Sequence, residues 1–383
     1  MAATAAAATA AAAAPSVVFQ ADTSAGGAYP CTRIPAALAL PDGALLAFAE
    51  CRRWAGDQCF VRGVPNATRG QEFDRSICLR RSADGGASWG ALQPNVTKRF
   101  SANPSAVLVP HPAGGGGGTR VLLFFDDTVS GELYSAASDD GGATWAVARP
   151  LLSSASGAPI RGTAGPGNSA VALPGGELLL AAYHADRAWT TMFSYASVLR
   201  SADGGGTWAD VSPPSAAGGG PMFPHLGEPS LAVLPGGLLV LDARCPDGRK
   251  PYPGPAAPCD CDCRGVAVSS DGGRSWGETA FDGSVVPDPD CQGALIALAN
   301  GSLAFSNANS PSVRVNPAVR LGEATAAGVA WAAGATQLAT GATSAGYSSI
   351  FEAADGRLGV LWETEGGQPG CHGEGCSIVL SFL

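Results

Sequence analysis

Charge is scarce in this chain: only 14% of residues are Asp, Glu, Lys or Arg. Lys and Arg number 23 against 32 Asp and Glu, a formal net charge of -9. That balance excludes broad contact with nucleic acid or an anionic membrane surface, but not a local basic pocket. Helical periodicity is nearly absent, so βαβ units are not expected. No apolar run suits a transmembrane helix, because Asp, Glu and Arg punctuate every apolar stretch after residue 40. Histidines are few and scattered (His111, His184, His225, His372), and none pairs with a serine in a pattern that supports Ser-His-Asp hydrolysis. What is abundant is hydrophobic residues at 46%, with 53 Gly and 29 Pro. That composition fits a large core threaded by many turns.

One phrase occurs four times: Ser82-Ala-Asp84-Gly-Gly-Ala-Ser-Trp89, Ser138-Asp-Asp140-Gly-Gly-Ala-Thr-Trp145, Ser201-Ala-Asp203-Gly-Gly-Gly-Thr-Trp208 and Ser269-Ser-Asp271-Gly-Gly-Arg-Ser-Trp276. The aspartates lie 56, 63 and 68 residues apart. A single copy would be a turn signal; four with Ser/Thr-Trp at one offset are an internal repeat. Asp bonds to nearby backbone groups, Gly accepts left-handed dihedrals, and Trp offers a ring to be covered. Each copy therefore reads as a hairpin turn pinned to a sheet.

Six short apolar runs follow glycine turns, beginning at Gly43, Gly118, Gly176, Gly237, Gly301 and Gly356. Each is strand-length and turn-bounded. Units of about sixty residues suit four strands apiece. The expected architecture is all-β: a six-bladed β-propeller of four-stranded antiparallel sheets, whose radial closure leaves only short edges. Residues 1–16 read as a low-complexity alanine-rich leader and residues 17–383 as one propeller domain. The fifth unit carries no aspartate turn, and Leu321-Gly-Glu-Ala stands where one is expected. Val17-Val18-Phe19 and Ser377 to Phe382 are expected to share one sheet and close the ring.

Eleven cysteines and the sequons Asn66-Ala-Thr68, Asn95-Val-Thr97 and Asn300-Gly-Ser302 point to a lysosomal, secretory or extracellular location. The odd count leaves a thiol unpaired or joined to another chain. Against that location, Met1 to Ala14 has no Lys or Arg and no Leu-rich core, a weak signal peptide that leaves a cytoplasmic location open. The cluster Cys245, Cys259, Cys261 and Cys263 suits disulfides or thiols better than zinc. No metal and no cofactor is expected.

Polar residues appear abruptly at strand ends away from the aspartate turns: Arg33, then Glu50 to Arg53 with Asp57, Glu228, Arg244, Arg314, Tyr347 and Glu363. A propeller brings matched strand phases together around its axis. Three converging arginines would make a carboxylate receptor, since the guanidinium fork grips carboxylates bidentately. Taken singly, each arginine reads as a solvated strand end, Tyr347 as an interior ring and Glu228 as a strand-edge acid. Asp74 competes with Asp57, and Trp54 either lines the pocket or covers the core.

Read in order, these residues resemble the exo-α-sialidases, retaining glycoside hydrolases with aspartate boxes on a six-bladed propeller. The matches are Arg33-Ile34-Pro35, Ala49-Glu50-Cys51-Arg52 with Asp57, Glu228 leading through a Leu-Pro-x-Gly strand to Arg244, Phe305-Ser-Asn307 with Arg314-Val-Asn316, and Tyr347-Ser348 with Leu361-Trp362-Glu363. Thr32 stands where the family usually has an aromatic. The chain is most similar to the lysosomal subtype, through Gly346 to Ser349, Cys261-Asp-Cys263-Arg264 and Gly165-Pro-Gly167. The likeness covers roughly residues 30 to 365.

The resemblance implies hydrolysis of terminal α-linked sialic acid from glycoproteins, glycolipids such as gangliosides, and oligosaccharides. It implies that Arg33, Arg244 and Arg314 clamp the substrate carboxylate, with Glu363 orienting Arg33 and Arg52 contacting a ring substituent. Tyr347 would be the nucleophile, Glu228 its base and Asp57 the acid/base. A neutral tyrosine avoids the repulsion that a carboxylate nucleophile would meet from this substrate, and sialidases are a tyrosine exception among glycosidases. A non-catalytic sialic-acid-binding propeller, a trans-sialidase and a protein-binding scaffold are the alternatives. A preference for ketodeoxynonulosonic acid also stays open.

Overall fold

Each of the six apolar runs becomes the second strand of an antiparallel sheet: Leu45–Arg52, Thr119–Asp127, Leu178–His184, Leu239–Arg244, Leu303–Ala308 and Leu358–Thr364. The structure, a computed structural model, describes residues 14–22, 28–111, 118–184, 195–212, 222–246, 262–281, 285–365 and 371–383. The leader to residue 13, the linker at 216–220, most of the loop at 114–118 and most of the insertion at 245–264, with Cys259 and Cys261, lie outside the described residues.

The second strands are flanked by first strands Cys31–Ala39, Ser101–Pro110, Ala170–Ala172, Gly227–Val233, Ala294–Ala297 and Ser348–Glu352. Six of the seven sheets hold three or more strands; the seventh pairs Phe60–Val61 with Cys371–His372. The sheets are numbered one to six below in order of these second strands. The expected four strands apiece is not met throughout. Sheets two, four and six have four strands, sheet one three, sheet five five and sheet three seven. Sheet one falls short because the segment after its aspartate turn makes only isolated bridges, Leu79 to Gln93 and Ser76 to Arg99. Sheet three gains strands because the chain on either side of it adds short pairings, including Leu152–Ser153 parallel to Thr207–Asp210.

The core is divided among the seams between sheets. Leu46, Phe48 and Leu79 of sheet one pack with Leu123 and Phe125 of sheet two. Similar clusters join sheets two and three, three and four, four and five, and five and six. A last cluster puts Leu45 and Ala47 of sheet one against Leu361, Ile378 and Leu380 of sheet six, which closes the ring. Ser16–Gln20 pairs antiparallel with Ser377–Phe382, as the termini led one to expect. This sequence of seams is a β-propeller.

The repeated turns all use the same bonds. In the second copy Asp140 Oδ1 accepts from the Ser138 hydroxyl and the Thr144 N–H, both at 2.8 Å, and Asp140 Oδ2 accepts from the Thr144 hydroxyl at 2.6 Å. Gly142 has φ +85°, and a Cβ there would come within 3.0 Å of Leu46 on the preceding sheet. The tryptophan that follows lies edge-on against that sheet: Trp145 on Phe48, with ring centroids 5.8 Å apart. Trp208 meets Phe124 and Trp276 meets Phe223 in the same way. Each turn thus fastens its sheet to the one before. In sheet five Leu321-Gly-Glu-Ala lies within the strand Pro317–Thr325, so it is not a substitute turn; the equivalent hairpin is Thr325–Gly328.

At the opposite ends the first strands are broken by bulges. Pairing shifts between Arg33 and Ala36, Ala102 and Ser105, and Gly227 and Ser230. Each bulge holds a residue of positive φ directly before a proline: Ile34 (+58°), Asn103 (+54°) and Glu228 (+43°). Residues before proline ordinarily prefer extended backbone, and φ in this range costs on the order of 1–3 kcal/mol. Three such positions at one end of one fold mark where the strands are re-aimed. Gly165-Pro166 occupies the corresponding place in sheet three; a Cβ on Gly165 would sit 2.2 Å from the Pro229 carbonyl oxygen.

Disulfides join Cys31 to Cys59 and Cys51 to Cys78, and Cys245, Cys263 and Cys376 are also disulfide-bonded. Cys291 is a buried thiol. These bonds fit an oxidising compartment. Among the described residues no helix is long and apolar enough to cross a membrane.

Candidate active site

The bulges and the ends of the second strands surround a cleft of about 320 Å³. Arg33, Arg52, Asp57, Glu228, Arg244, Arg314 and Tyr347 all line it. Glu363 lies beneath, fully buried.

Tyr347 is the centre. Its hydroxyl donates to Oε1 of Glu228, and Arg244 Nη1 donates to that hydroxyl at 3.1 Å. The Arg33 guanidinium carbon lies 4.8 Å from the centre of the Tyr347 ring, and that of Arg314 lies 5.7 Å away. Three arginines from sheet one, sheet four and the loop that follows the second strand of sheet five therefore gather around one phenol. Burial and the Glu228 charge push the phenol well above its usual range, against the pull of Arg244, Arg314 and Arg33. Tyr347 is accordingly neutral in the free protein.

The arginines are held from behind by carboxylates. Arg33 gives Nε and Nη2 to the two oxygens of Glu363, at 3.1 and 2.9 Å. Glu363 also accepts the N–H of Ile34 at 2.6 Å and that of Tyr347 at 3.0 Å. One carboxylate thus orients an arginine, holds the strained bulge and fixes the backbone of the tyrosine. Arg244 gives Nε to Asp290 at 2.7 Å and Nη1 to Glu228 at 2.8 Å. Arg314 donates to the Asp290 carbonyl at 3.2 Å.

Asp57 sits across the cleft on a loop with φ +49° at Asp57 and +64° at Gln58. Its side chain is 57% exposed. Arg33 Nη1 meets Oδ2 at 3.1 Å and Arg52 Nη1 meets it at 2.7 Å. What desolvation the carboxyl suffers would raise it, but the Arg33 and Arg52 charges hold it well below the ordinary carboxylate range. Arg52 itself is anchored on Glu50, at 2.9 Å from Nε and 2.8 Å from Nη2, and lies 4.8 Å from the centre of the Trp54 ring. Trp54 is thus a buried shelf for Arg52 and not part of the lining. Asp74 pairs with Arg53 and Arg99 outside the cleft.

Several cleft groups were not among the sequence candidates. Arg75 and the Asn103 N–H join Arg52 on Glu50, at 3.0 and 2.9 Å. Their positive charge and the Asn103 bond outweigh burial and lower the Glu50 carboxyl. Asn103 Nδ2 donates to Asp126 Oδ1 at 2.9 Å. Burial, aided by the nearby Glu50 charge, pushes Asp126 up to about 7. Tyr183 adds a second phenol, raised by burial first and by Glu228 next. A signal for Asn103 was present: Asn103-Pro104-Ser105 shares its Pro-Ser with Glu228-Pro229-Ser230, and Asp126, next to last in its strand, pairs just before the bulge as Glu50 and Arg244 do.

The arrangement can do two things. Converging guanidiniums can take a planar anion, and a carboxylate-bonded neutral phenol can serve as a nucleophile whose proton already has a receiver.

Residues 117–360 match the BNR repeat-like domain. Among solved structures, the chain is similar to the Hadza microbial sialidase Hz136 (TM-score 0.63, 18% identity), covering 93% of this chain and 66% of that one. It is similar to the intramolecular trans-sialidase from Ruminococcus gnavus (0.64, 14%), covering 96% and 97%. It is also similar to the α-L-arabinofuranosidase Arb93A from Fusarium graminearum (0.64, 15%), covering 97% and 98%. The chain thus spans about two thirds of the Hadza sialidase and nearly all of the other two. No curated protein matches it. At these identities the likeness is one of fold, and a fold shared with an arabinofuranosidase does not choose the sugar. The matched span covers more than half of the sequence, and the chain belongs to the BNR repeat-like domain family.

Proposed function

We propose that the chain is a retaining exo-α-sialidase, hydrolysing terminal α-linked sialic acid from glycoproteins, gangliosides and oligosaccharides. The six larger sheets are read as the six blades. The observation that carries the reading is the cluster at Tyr347: Arg33, Arg244 and Arg314 around the ring, and Glu228 on the hydroxyl. A sugar whose anomeric carbon bears a carboxylate presents a negative charge where an ordinary glycosidase places its own carboxylate. A phenol kept neutral removes that repulsion.

The substrate carboxylate takes Arg33, Arg244 and Arg314, and displaces the Asp57 carboxylate from Arg33. Release from that arginine raises the Asp57 pKa and lets it carry a proton. Tyr347 Oη bonds to the anomeric carbon as its proton passes to Glu228. The glycosidic C–O bond breaks, and Asp57 protonates the departing oxygen. Water then attacks the same carbon and gives a proton to Asp57, while Glu228 returns its proton to the leaving phenolate. Arg52 contacts a ring substituent. The disulfides support a lysosomal or secretory setting.

A sialyl-oligosaccharide with an alkyl leaving oxygen, assayed from pH 3 to 8, tests the reading. Release of free sialic acid that rises as the pH falls from 7 toward 4 is expected, because free Asp57 holds its proton only at low pH. No release at any pH, with free sialic acid still bound, would leave a non-catalytic sialic-acid-binding propeller. No binding at all would remove the assignment.

A further inference from the structure

The segment 288–292 supports the axial cleft from behind. Asp290 Oδ1 accepts from Arg244 Nε at 2.7 Å, and the Asp290 carbonyl accepts from Arg314 Nη2 at 3.2 Å. Cys291 packs with Ile34 and Tyr347. Gln292 Oε1 accepts the N–H of Ser348, the residue after Tyr347, at 2.9 Å, and Gln292 Nε2 donates to the Ser348 carbonyl at 3.0 Å. Two of the three arginines and the backbone beside the phenol thus depend on one short segment. No regular strand holds it: the strand Ala294–Ala297 begins only afterwards, and Asp290 has φ +59°. A non-glycine residue in that conformation persists only where its surroundings over-determine it.

The group that fixes the segment is Arg264, the first residue of the third strand of sheet four and the cross-strand partner of Arg244. Arg264 Nη1 donates to Asp288 Oδ2 at 3.0 Å and to the Cys291 carbonyl at 2.7 Å, so one nitrogen grips the chain on both sides of Asp290. Asp288 Oδ1 accepts the Cys291 N–H at 2.8 Å and closes the loop on itself. The guanidinium is held in turn by Asp242, at 2.5 Å from Nε, and its carbon lies 5.1 Å from the centre of the Phe305 ring. Arg264 is buried and does not line the axial cleft. Its charge therefore acts on the loop and not on a ligand in that cleft. A lysine lacks the planar fork that reaches Asp242 on one side and the loop on the other.

We propose that Arg264 is a positioning residue of the axial cleft: acting through Asp290, it sets where Arg244 and Arg314 meet the substrate carboxylate. The inference rests on the sialidase reading and deepens it. Glu363 orients Arg33 by direct contact, whereas Arg264 places two arginines through a loop. Loss of Arg264 thus weakens the grip on a carboxylate and spares contacts to the uncharged parts of the sugar.

Ligand-observed NMR titration of the whole chain tests this, with sialic acid compared against its methyl ester, which keeps the sugar and lacks the charge. The parent is expected to bind the acid more tightly than the ester. Arg264→Lys is expected to weaken acid binding by about tenfold, the scale of one charge-assisted hydrogen bond, and to leave ester binding unchanged. A general loosening of the fold would lower both. Asp290→Asn is expected to weaken acid binding at least as much, and Arg264→Lys in that background to add little, because the two act in series. Should Arg264→Lys fail to fold, Asp288→Asn, which loosens the same loop, replaces it with the same expected outcome. A folded variant that keeps the parent's preference for the acid, equal losses for acid and ester, or fully additive losses would each overturn the proposal. So would failure of both variants to fold, which would make Arg264 a folding element. No preference for the acid in the parent would instead remove the sialidase reading, and this inference with it.

Discussion

The two ends of the propeller are built on opposite plans. At one end a turn is repeated four times, each copy closed by bonds among residues at most four apart. At the other, the bulges before proline recur but the side chains they present differ, and the bonds join distant parts of the chain: Arg33 to Glu363, Tyr347 to Glu228, Arg244 to Asp290. The first plan is redundant and local, so loss of one copy leaves three. The second is a single network in which Glu363, Glu228, Glu50 and Asp57 each serve two or more partners, so loss of one group disturbs several. Of the ten non-glycine residues of positive φ among the described residues, six (Ile34, Asp57, Gln58, Asn103, Glu228 and Asp290) belong to the axial cleft or its supports, while the repeated turns place glycine where such dihedrals are required.

That contrast can be broken most severely at the phenol. Tyr347→Phe is expected to lower kcat for an aryl sialoside by on the order of 10³-fold while leaving the melting temperature within a few degrees. Glu228→Gln with Tyr347→Phe is expected to cost no more than the worse single variant, since the pair acts as one unit. Full additivity in steady-state kinetics would show that the two act separately. Next comes Asp57→Ala. Its loss is expected to be on the order of 10²–10⁴-fold for a natural alkyl glycoside and much smaller for an aryl glycoside, whose leaving oxygen needs little protonation. Equal losses on both substrates would remove Asp57 from the acid role.

Glu363→Gln sharpens the comparison from the structural side. It leaves the buried Arg33 charge under-compensated, and breaking a buried pair costs roughly 3–5 kcal/mol. A lowered unfolding midpoint in denaturant, together with a raised KM, is the expected outcome. The smallest effect belongs to the turns. Asp140→Asn is expected to lower the melting temperature at pH 7 by about 1–2 °C with activity unchanged. Bonds from the Thr144 hydroxyl and N–H hold the Asp140 carboxyl down at about 2. Its contribution is therefore present above the ordinary carboxylate range and is lost as the pH falls toward 2. Parent and variant melts should converge in that window.

These plans also explain what was legible in the sequence. The four turns could be read directly because their bonding is contained in eight consecutive residues. The apolar second strands were equally clear, because alternation and a preceding glycine suffice to define them. Arg33, Arg52, Asp57, Glu228, Arg244, Arg314 and Tyr347 were found as strand-end residues in matched phase, and the cleft unites them. Asp290, Arg75, Asn103 and Asp126 were not found. Asp290 enters because a loop with φ +59° turns it toward Arg244, and no period marks that position. Asn103 enters because a bulge lifts it out of an apolar strand. Strand count failed for a related reason: outer strands form by short local pairings that leave almost no sequence trace. The seam between sheets four and five shows the same point in reverse. An absent turn was visible, but the cleft it leaves depends on where Trp331 and the Thr325–Gly328 hairpin come to rest.

The central claim is that the Tyr347 oxygen bonds to the anomeric carbon of a carboxylate-bearing sugar. Incubation with a 3-fluorosialyl fluoride, followed by intact-mass and peptide-level mass spectrometry, tests it most directly. The account predicts one fluorosialyl adduct per chain, carried on the peptide that contains Tyr347 and absent from Tyr347→Phe. Turnover of an aryl sialoside with no adduct at Tyr347, or with an adduct on a different residue, would contradict it.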